Sequence, residues 1–145
     1  MSLKLTLKPG ESVLIGDTRV EIVSRGSSTL LISGSVPVLR GEFAVDADTA
    51  QDTPSQLRLV LQRMYLDANV AIHHDAYFKV VGDMLAEYPN SVPFITEINR
   101  CLMTGDVYRA IKIAKEYLAD MNAPADKWML SGPESKLAPQ RTNAA

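Results

Sequence analysis

Residues 3–42 read LKLTLKPGESVLIGDTRVEIVSRGSSTLLISGSVPVLRGE, and their alternation decides the fold. Leu3, Leu5 and Leu7 fall on one side of a period-two pattern and Lys4, Thr6 and Lys8 on the other, which describes a strand with one dry face and one basic face. Turn chemistry cuts the stretch into pieces. Pro9-Gly10 suits the centre of a type II turn, and Gly16-Asp17, Arg25-Gly26-Ser27-Ser28 and Gly34 supply the other breaks. The pieces between them, 12–15, 18–24, 29–33 and 36–40, are rich in Val, Ile, Leu and Thr. The expectation is a five-stranded antiparallel meander. A unit of roughly 40 residues buries too little surface to stand alone, so it should dimerise or be covered by the rest of the chain.

The pattern then changes. Residues 46–53 are acidic and small without a sustained period, and read as a linker between a β module (1–45) and a helical domain (54–121). Thr53 as N-cap, Pro54 at the first helical position and Gln56 three residues on open the first helix, which gathers Leu57, Val60, Leu61, Met64 and Tyr65 on one face and puts Arg58, Gln62 and Arg63 largely opposite. A second helix over about 70–88 carries Tyr77, Val80, Val81, Met84, Leu85 and Tyr88. Ser91 is positioned to cap a third, with Phe94, Ile95, Ile98, Cys101 and Leu102, and Gly105 stops it. Asp106 caps a fourth, whose stripe runs through Tyr108, Ile111, Ala114 or Lys115, and Leu118 to about Met121. The architecture is α+β: a β module followed by a four-helix layer. Pro124, Pro133 and Pro139 leave 122–145 as an irregular tail, expected to be mobile, in which Trp128-Met129-Leu130 is apolar enough to dock.

Composition bounds the chemistry. The chain has 145 residues, 46% hydrophobic and 22% charged, with a formal net charge of -2. No apolar stretch is long enough to span a membrane and no signal-peptide pattern opens the chain, so a cytoplasmic protein is expected. Cys101 is alone and cannot form an internal disulfide; on an apolar helical stripe it reads as core. His73 and His74 are adjacent and point about 100° apart on a helix, so they cannot share one metal ion. No nucleophile, base or metal constellation has a second supporting feature, and neither catalysis nor a cofactor is expected.

For nucleic acid, the overall charge gives no bulk attraction, and the β segment up to Glu42 has no Phe, Tyr or Trp to stack on bases. What remains is a polar edge of donors on the first and last strands, Lys4, Thr6, Lys8 and Arg40; a solvated strand face explains each of them equally well taken singly. The Tyr and Met residues of the helices, Met64, Tyr65, Tyr77, Met84, Tyr88, Met103 and Tyr108, read mostly as core, with a partner-binding groove as the lesser alternative.

Leu5-Thr6-Leu7-Lys8-Pro9-Gly10-Glu11 followed by Ile15-Gly16-Asp17 resembles the opening of the carbon storage regulator (CsrA), a small RNA-binding β protein. Together with Val38-Leu39-Arg40, Met64-Tyr65-Leu66-Asp67 and Gly105-Asp106-Val107-Tyr108-Arg109-Ala110, residues 2–121 are similar to the FlbT family of flagellum biosynthesis repressors. The first resemblance implies a CsrA-like β module whose first strand, 4–8, and last strand, 38–42, lie side by side and read RNA, with Arg40 in the place of an RNA-contacting arginine. Gly41 and Leu7-Lys8 depart from that pattern, which has an acidic residue after the arginine and a strongly basic pair after the first strand's threonine. The second implies a post-transcriptional regulator that binds the 5′ untranslated region of flagellin mRNA, lowers its translation and stability, and has a FlaF-type regulator as functional partner. The rival is a protein-binding adaptor or chaperone-like partner of FlaF or flagellin that never touches RNA.

Overall fold

Five strands precede four helices in the computed structural model, which describes residues 2–121. The tail at 122–145, with Trp128, and the side chain of Leu118 lie outside the described residues. The strands are β1 (Ser2–Leu7), β2 (Ser12–Ile15), β3 (Thr18–Glu21), β4 (Ser28–Ser33) and β5 (Val38–Arg40). In β1 the alternation holds: Leu5 and Leu7 are buried while Lys4, Thr6 and the following Lys8 face solvent, and only Leu3, at the open end, escapes cover. The type II turn at Pro9-Gly10 forms, with Glu11 N donating to Lys8 O at 3.0 Å and Gly10 at φ +85°. Glu11 also folds its carboxylate back to accept from Lys8 N at 2.7 Å.

The strands do not form a meander. β1 pairs with β4, Leu5 opposite Leu30 and Thr6 opposite Thr29, while β2 lies between β3 and β5; every pairing is antiparallel. Only the β2–β3 hairpin, closed by Gly16-Asp17, joins neighbours in sequence. The reason is the small core that Leu5 and Leu7 of β1 share with Val13 of β2 and Ile22. Two short amphipathic sheets can each hide their apolar face only by packing on the other. The side-by-side pairing of the first and last strands is therefore corrected: β5 takes β2 as its ladder partner, and no ladder joins it to β1.

The helices are α1 (Thr53–Leu66), α2 (His74–Glu87), α3 (Val92–Met103) and α4 (Val107–Met121), with 3-10 turns at Gly41–Phe43, Ala71–His73 and Pro89–Ser91. Asp52, not Thr53, caps α1: its Oδ1 accepts from Ser55 N at 2.9 Å. A carboxylate is the better acceptor at the positive end of the helix dipole, and Thr53 is freed to donate its hydroxyl to Glu87 Oε2 at 2.9 Å. Ser91 holds the N-cap position of α3 but caps nothing with its side chain; its hydroxyl is buried and turned to that of Tyr117. Asp106 caps α4 as expected, accepting from Arg109 N at 3.1 Å.

Helices α1, α3 and α4 pack together, with α2 against α1, around Leu57, Leu61, Met64, Tyr77, Met84, Phe94, Ile98 and Ile111. Leu39 of β5 is completely buried in this same core, so the β strands and the helices share packing. The turn after α3 is a Schellman motif: Gly105 stands at φ +82°, Gly105 N donates to Leu102 O at 3.2 Å and Asp106 N to Cys101 O at 2.8 Å. The same motif ends α1, but there the left-handed position at φ +53° is held by Ala68. Among the described residues no helix is long and apolar enough to cross a membrane.

Candidate nucleic-acid interface

The outward face of the β1–β4 ribbon carries Lys4 and Thr6, and Lys8 begins the turn beyond it. Thr6 Oγ1 lies 3.2 Å from Thr29 Oγ1 on the partner strand, a cross-strand hydroxyl pair on the solvent side. Opposite Lys4 is Leu31, an exposed apolar residue, so this face is neither uniformly polar nor uniformly basic.

Arg40 stands elsewhere, at the end of β5, paired across the ladder with Val13. Two cavities connect its strand with β1 although no hydrogen bonds do. One, of about 280 Å³, is lined by Leu7, Glu11, Ser12, Arg40 and Glu42. The other, of about 490 Å³ and mostly apolar, is lined by Leu3, Ile32, Val36, Val38 and Tyr65. The structure thus brings Arg40 to a cavity shared with Leu7 at the end of β1, and leaves Lys4 and Thr6 on a separate face.

The surroundings of Arg40 bear on whether it is merely a surface ion-pair partner. Among the described residues it forms no ion pair: Glu11 is committed to the turn, and Glu42 reaches Lys115 of α4 at 3.5 Å. Arg40 is half-buried and lines the smaller cavity, and no carboxylate among the described residues takes up its guanidinium donors. The glycine that follows is dictated by packing, since a Cβ on Gly41 would lie 2.3 Å from Ser12 Oγ and 3.0 Å from the Ser12 carbonyl oxygen. Close approach of β5 to β2 is the physical reason this position has no acidic side chain.

Three aromatic residues that the sequence scatters over 65 positions meet beside this edge. Phe43 follows β5, Tyr65 lies on α1 and Tyr108 on α4; the Tyr108 ring centroid is 5.7 Å from that of Phe43 and 5.9 Å from that of Tyr65. Tyr65 donates its hydroxyl to Val38 O at 2.9 Å, which fixes α1 to the outer edge of β5. Burial foremost, together with the neighbouring Tyr108, pushes the Tyr65 phenol above its ordinary pKa, against the opposing pull of the Val38 bond. Of the helical Tyr and Met residues, Met64, Tyr77 and Met84 are core, Tyr65 and Tyr88 are half-buried, and Met103 and Tyr108 are exposed.

The remaining candidates are structural. His73 Nε2 lies 2.7 Å from Asp67 Oδ2, tying the α1–α2 connection, and the His74 ring sits 5.9 Å from that of Phe78. Cys101 is buried, and desolvation raises its thiol pKa, the opposite of what a nucleophile needs. Among the described residues no group of three His, Cys, Asp or Glu side chains could hold a metal ion.

Residues 3–121 match the family described as "Flagellar protein FlbT". The protein named "Probable flagellum biosynthesis repressor protein FlbT 1" from Bradyrhizobium diazoefficiens is 32% identical over 119 residues, covering 82% of each chain. Proteins named "Probable flagellum biosynthesis repressor protein FlbT" from two strains of Rhodopseudomonas palustris are 29% identical over 112 residues, covering 77% of this chain and 88% of theirs. No solved structure matches the chain. The matched stretch runs from β1 to the end of α4 and so includes every element described above; the chain belongs to the FlbT family.

Proposed function

We propose that this protein represses flagellum biosynthesis after transcription, in the cytoplasm, by binding the 5′ untranslated region of flagellin mRNA and lowering its translation and stability, with a FlaF-type regulator as its functional partner. Family membership supports the flagellar part of this reading. Support for RNA comes from one observation above all: among the described residues Arg40 is free of ion pairs, at the rim of a cavity it shares with Leu7 at the end of β1. An unpaired guanidinium matches a phosphate or a guanine edge in a bidentate way, whereas one already bridged to a carboxylate would have to break that bridge first. Lys4, Thr6, Lys8 and Arg40 are the proposed contacts. The test is an anisotropy titration of purified protein with the labelled leader of a flagellin transcript and with a scrambled RNA of equal length. The reading predicts saturable binding that favours the leader; an absence of binding at low salt would defeat it.

A second reading, an adaptor or chaperone-like partner that holds FlaF or flagellin without RNA contact, draws on α2, where Phe78 and Leu85 remain exposed on the helix surface with Ile72 just before it. Apolar side chains so placed can seat a partner helix. Binding of flagellin or FlaF that survives nuclease treatment, with no affinity for the leader, is the result that would favour it.

A further inference from the structure

The aromatic cluster beside β5 is flanked by cations. Lys112 Nζ lies 5.7 Å from the centroid of the Tyr108 ring, and Lys115 Nζ lies 4.6 Å from that of Phe43 while also reaching Glu42. Tyr108, 38% exposed, is the outermost ring, whereas Phe43 and Tyr65 are half-buried behind it. A purely structural staple would bury its rings and would have no need of ammonium groups over them. Here the Tyr65 hydroxyl bond to Val38 already fastens α1 to β5, and the Tyr108 ring is supported from behind by two others. The arrangement offers what a surface for single-stranded nucleic acid uses, an aromatic ring at the surface and a cation beside it.

We propose that Phe43, Tyr65 and Tyr108, with Lys112 as the free cation and Lys115 holding Glu42, form a base-stacking platform for single-stranded RNA that continues the Arg40 edge across to α4. This rests on the RNA-binding reading given above and adds to it the element the β strands lack, an aromatic surface. A base stacks on the partly exposed Tyr108 ring by displacing the Lys112 ammonium over it, which moves to an adjacent phosphate. Glu42 does not repel the strand because Lys115 neutralises it. RNA is favoured over a protein partner because the exposed ring is bordered by cations, which a nucleic-acid backbone complements and an apolar helix does not.

The test combines photocrosslinking with titration, both on the full chain and a 5-iodouridine-substituted flagellin leader. Crosslinks on the wild-type protein should map to the peptide containing Tyr108. Tyr108→Leu should weaken binding roughly 5- to 100-fold, the range of one lost stacked base, while Tyr108→Phe, which keeps the ring, should stay within about twofold of wild type. Crosslinks confined to residues 2–8, or leader affinity unchanged in Tyr108→Leu, overturn the platform while leaving the RNA-binding reading in place. A wild-type protein that binds no RNA overturns both. Loss of a protein partner by Tyr108→Leu with unchanged RNA affinity identifies a protein-docking surface and also overturns the proposal. Should Tyr108→Leu unfold, the wild-type crosslinks alone decide.

Discussion

Gln62 reads the backbone of Val45 in both directions: its Oε1 accepts from Val45 N at 2.7 Å and its Nε2 donates to Val45 O at 3.1 Å. A side-chain amide here stands in for a neighbouring strand, satisfying both polar groups of a residue where the chain leaves the β strands and comes onto α1. Gln62 is only 8% exposed, so water cannot easily replace it. Gln62→Leu should therefore cost about 2 kcal/mol or more in urea unfolding, because it strands a donor and an acceptor together. Gln62→Glu keeps an acceptor but sets a carboxylate against the Val45 carbonyl oxygen, and should also destabilise. Arg63→Ala, one residue on and exposed, should leave the midpoint nearly unchanged.

The left-handed residue that ends α1 offers the opposite change. Ala68 at φ +53° carries a Cβ where the Schellman motif favours none, while Gly105 fills the same position after α3. Ala68→Gly should raise stability by about 1 kcal/mol, less the backbone entropy that glycine adds to the unfolded chain. A lower unfolding midpoint in this variant would mean that the methyl group makes contacts that outweigh the strain.

Alkaline pH should unfold the protein through its tyrosines. Burial raises the Tyr77 phenol far above the ordinary range and Tyr117 to about 12, and it raises Tyr65 as well. A raised folded-state value means that the folded form prefers the neutral phenol. The stabilisation is thus fully present below the unfolded value of about 10 and is lost as pH climbs through the folded values. Ionisation of Tyr77 and Tyr117, read by tyrosinate absorbance against Phe variants of each, should coincide with loss of helical circular dichroism. Their early ionisation with the fold intact would contradict it.

Much of this was legible in local pattern. Leu5 and Leu7 against Lys4 and Thr6, the apolar faces of the four helices, and the caps at Asp106 and Gly105 all depend on residues within a turn or two of one another. What local pattern missed is non-local. The exchange of a meander for β1–β4 and β3–β2–β5 follows from how two sheets share Leu5, Leu7, Val13 and Ile22, which no spacing encodes. Gln62 read as solvent-facing because glutamine usually is; its burial is justified only by the Val45 backbone arriving opposite it. The polar edge residues Lys4, Thr6, Lys8 and Arg40 were visible one by one. Their division between two faces, and the meeting of Phe43, Tyr65 and Tyr108 beside Arg40, needed the tertiary structure.

Direct RNA contact at the cavity rim lined by Leu7 and Arg40 is decided by the salt dependence of leader binding. Phosphate contacts release counterions, so log K should fall linearly with log salt for the wild-type protein. Lys8→Ala should reduce that slope by about 1 with a modest loss of affinity across all sequences. Arg40→Ala should cost about 1–3 kcal/mol and reduce the preference for the leader over a scrambled RNA if the guanidinium reads a base edge. Affinity, slope and preference all unchanged in both variants, with wild-type binding intact, would contradict the account and move the RNA away from Arg40.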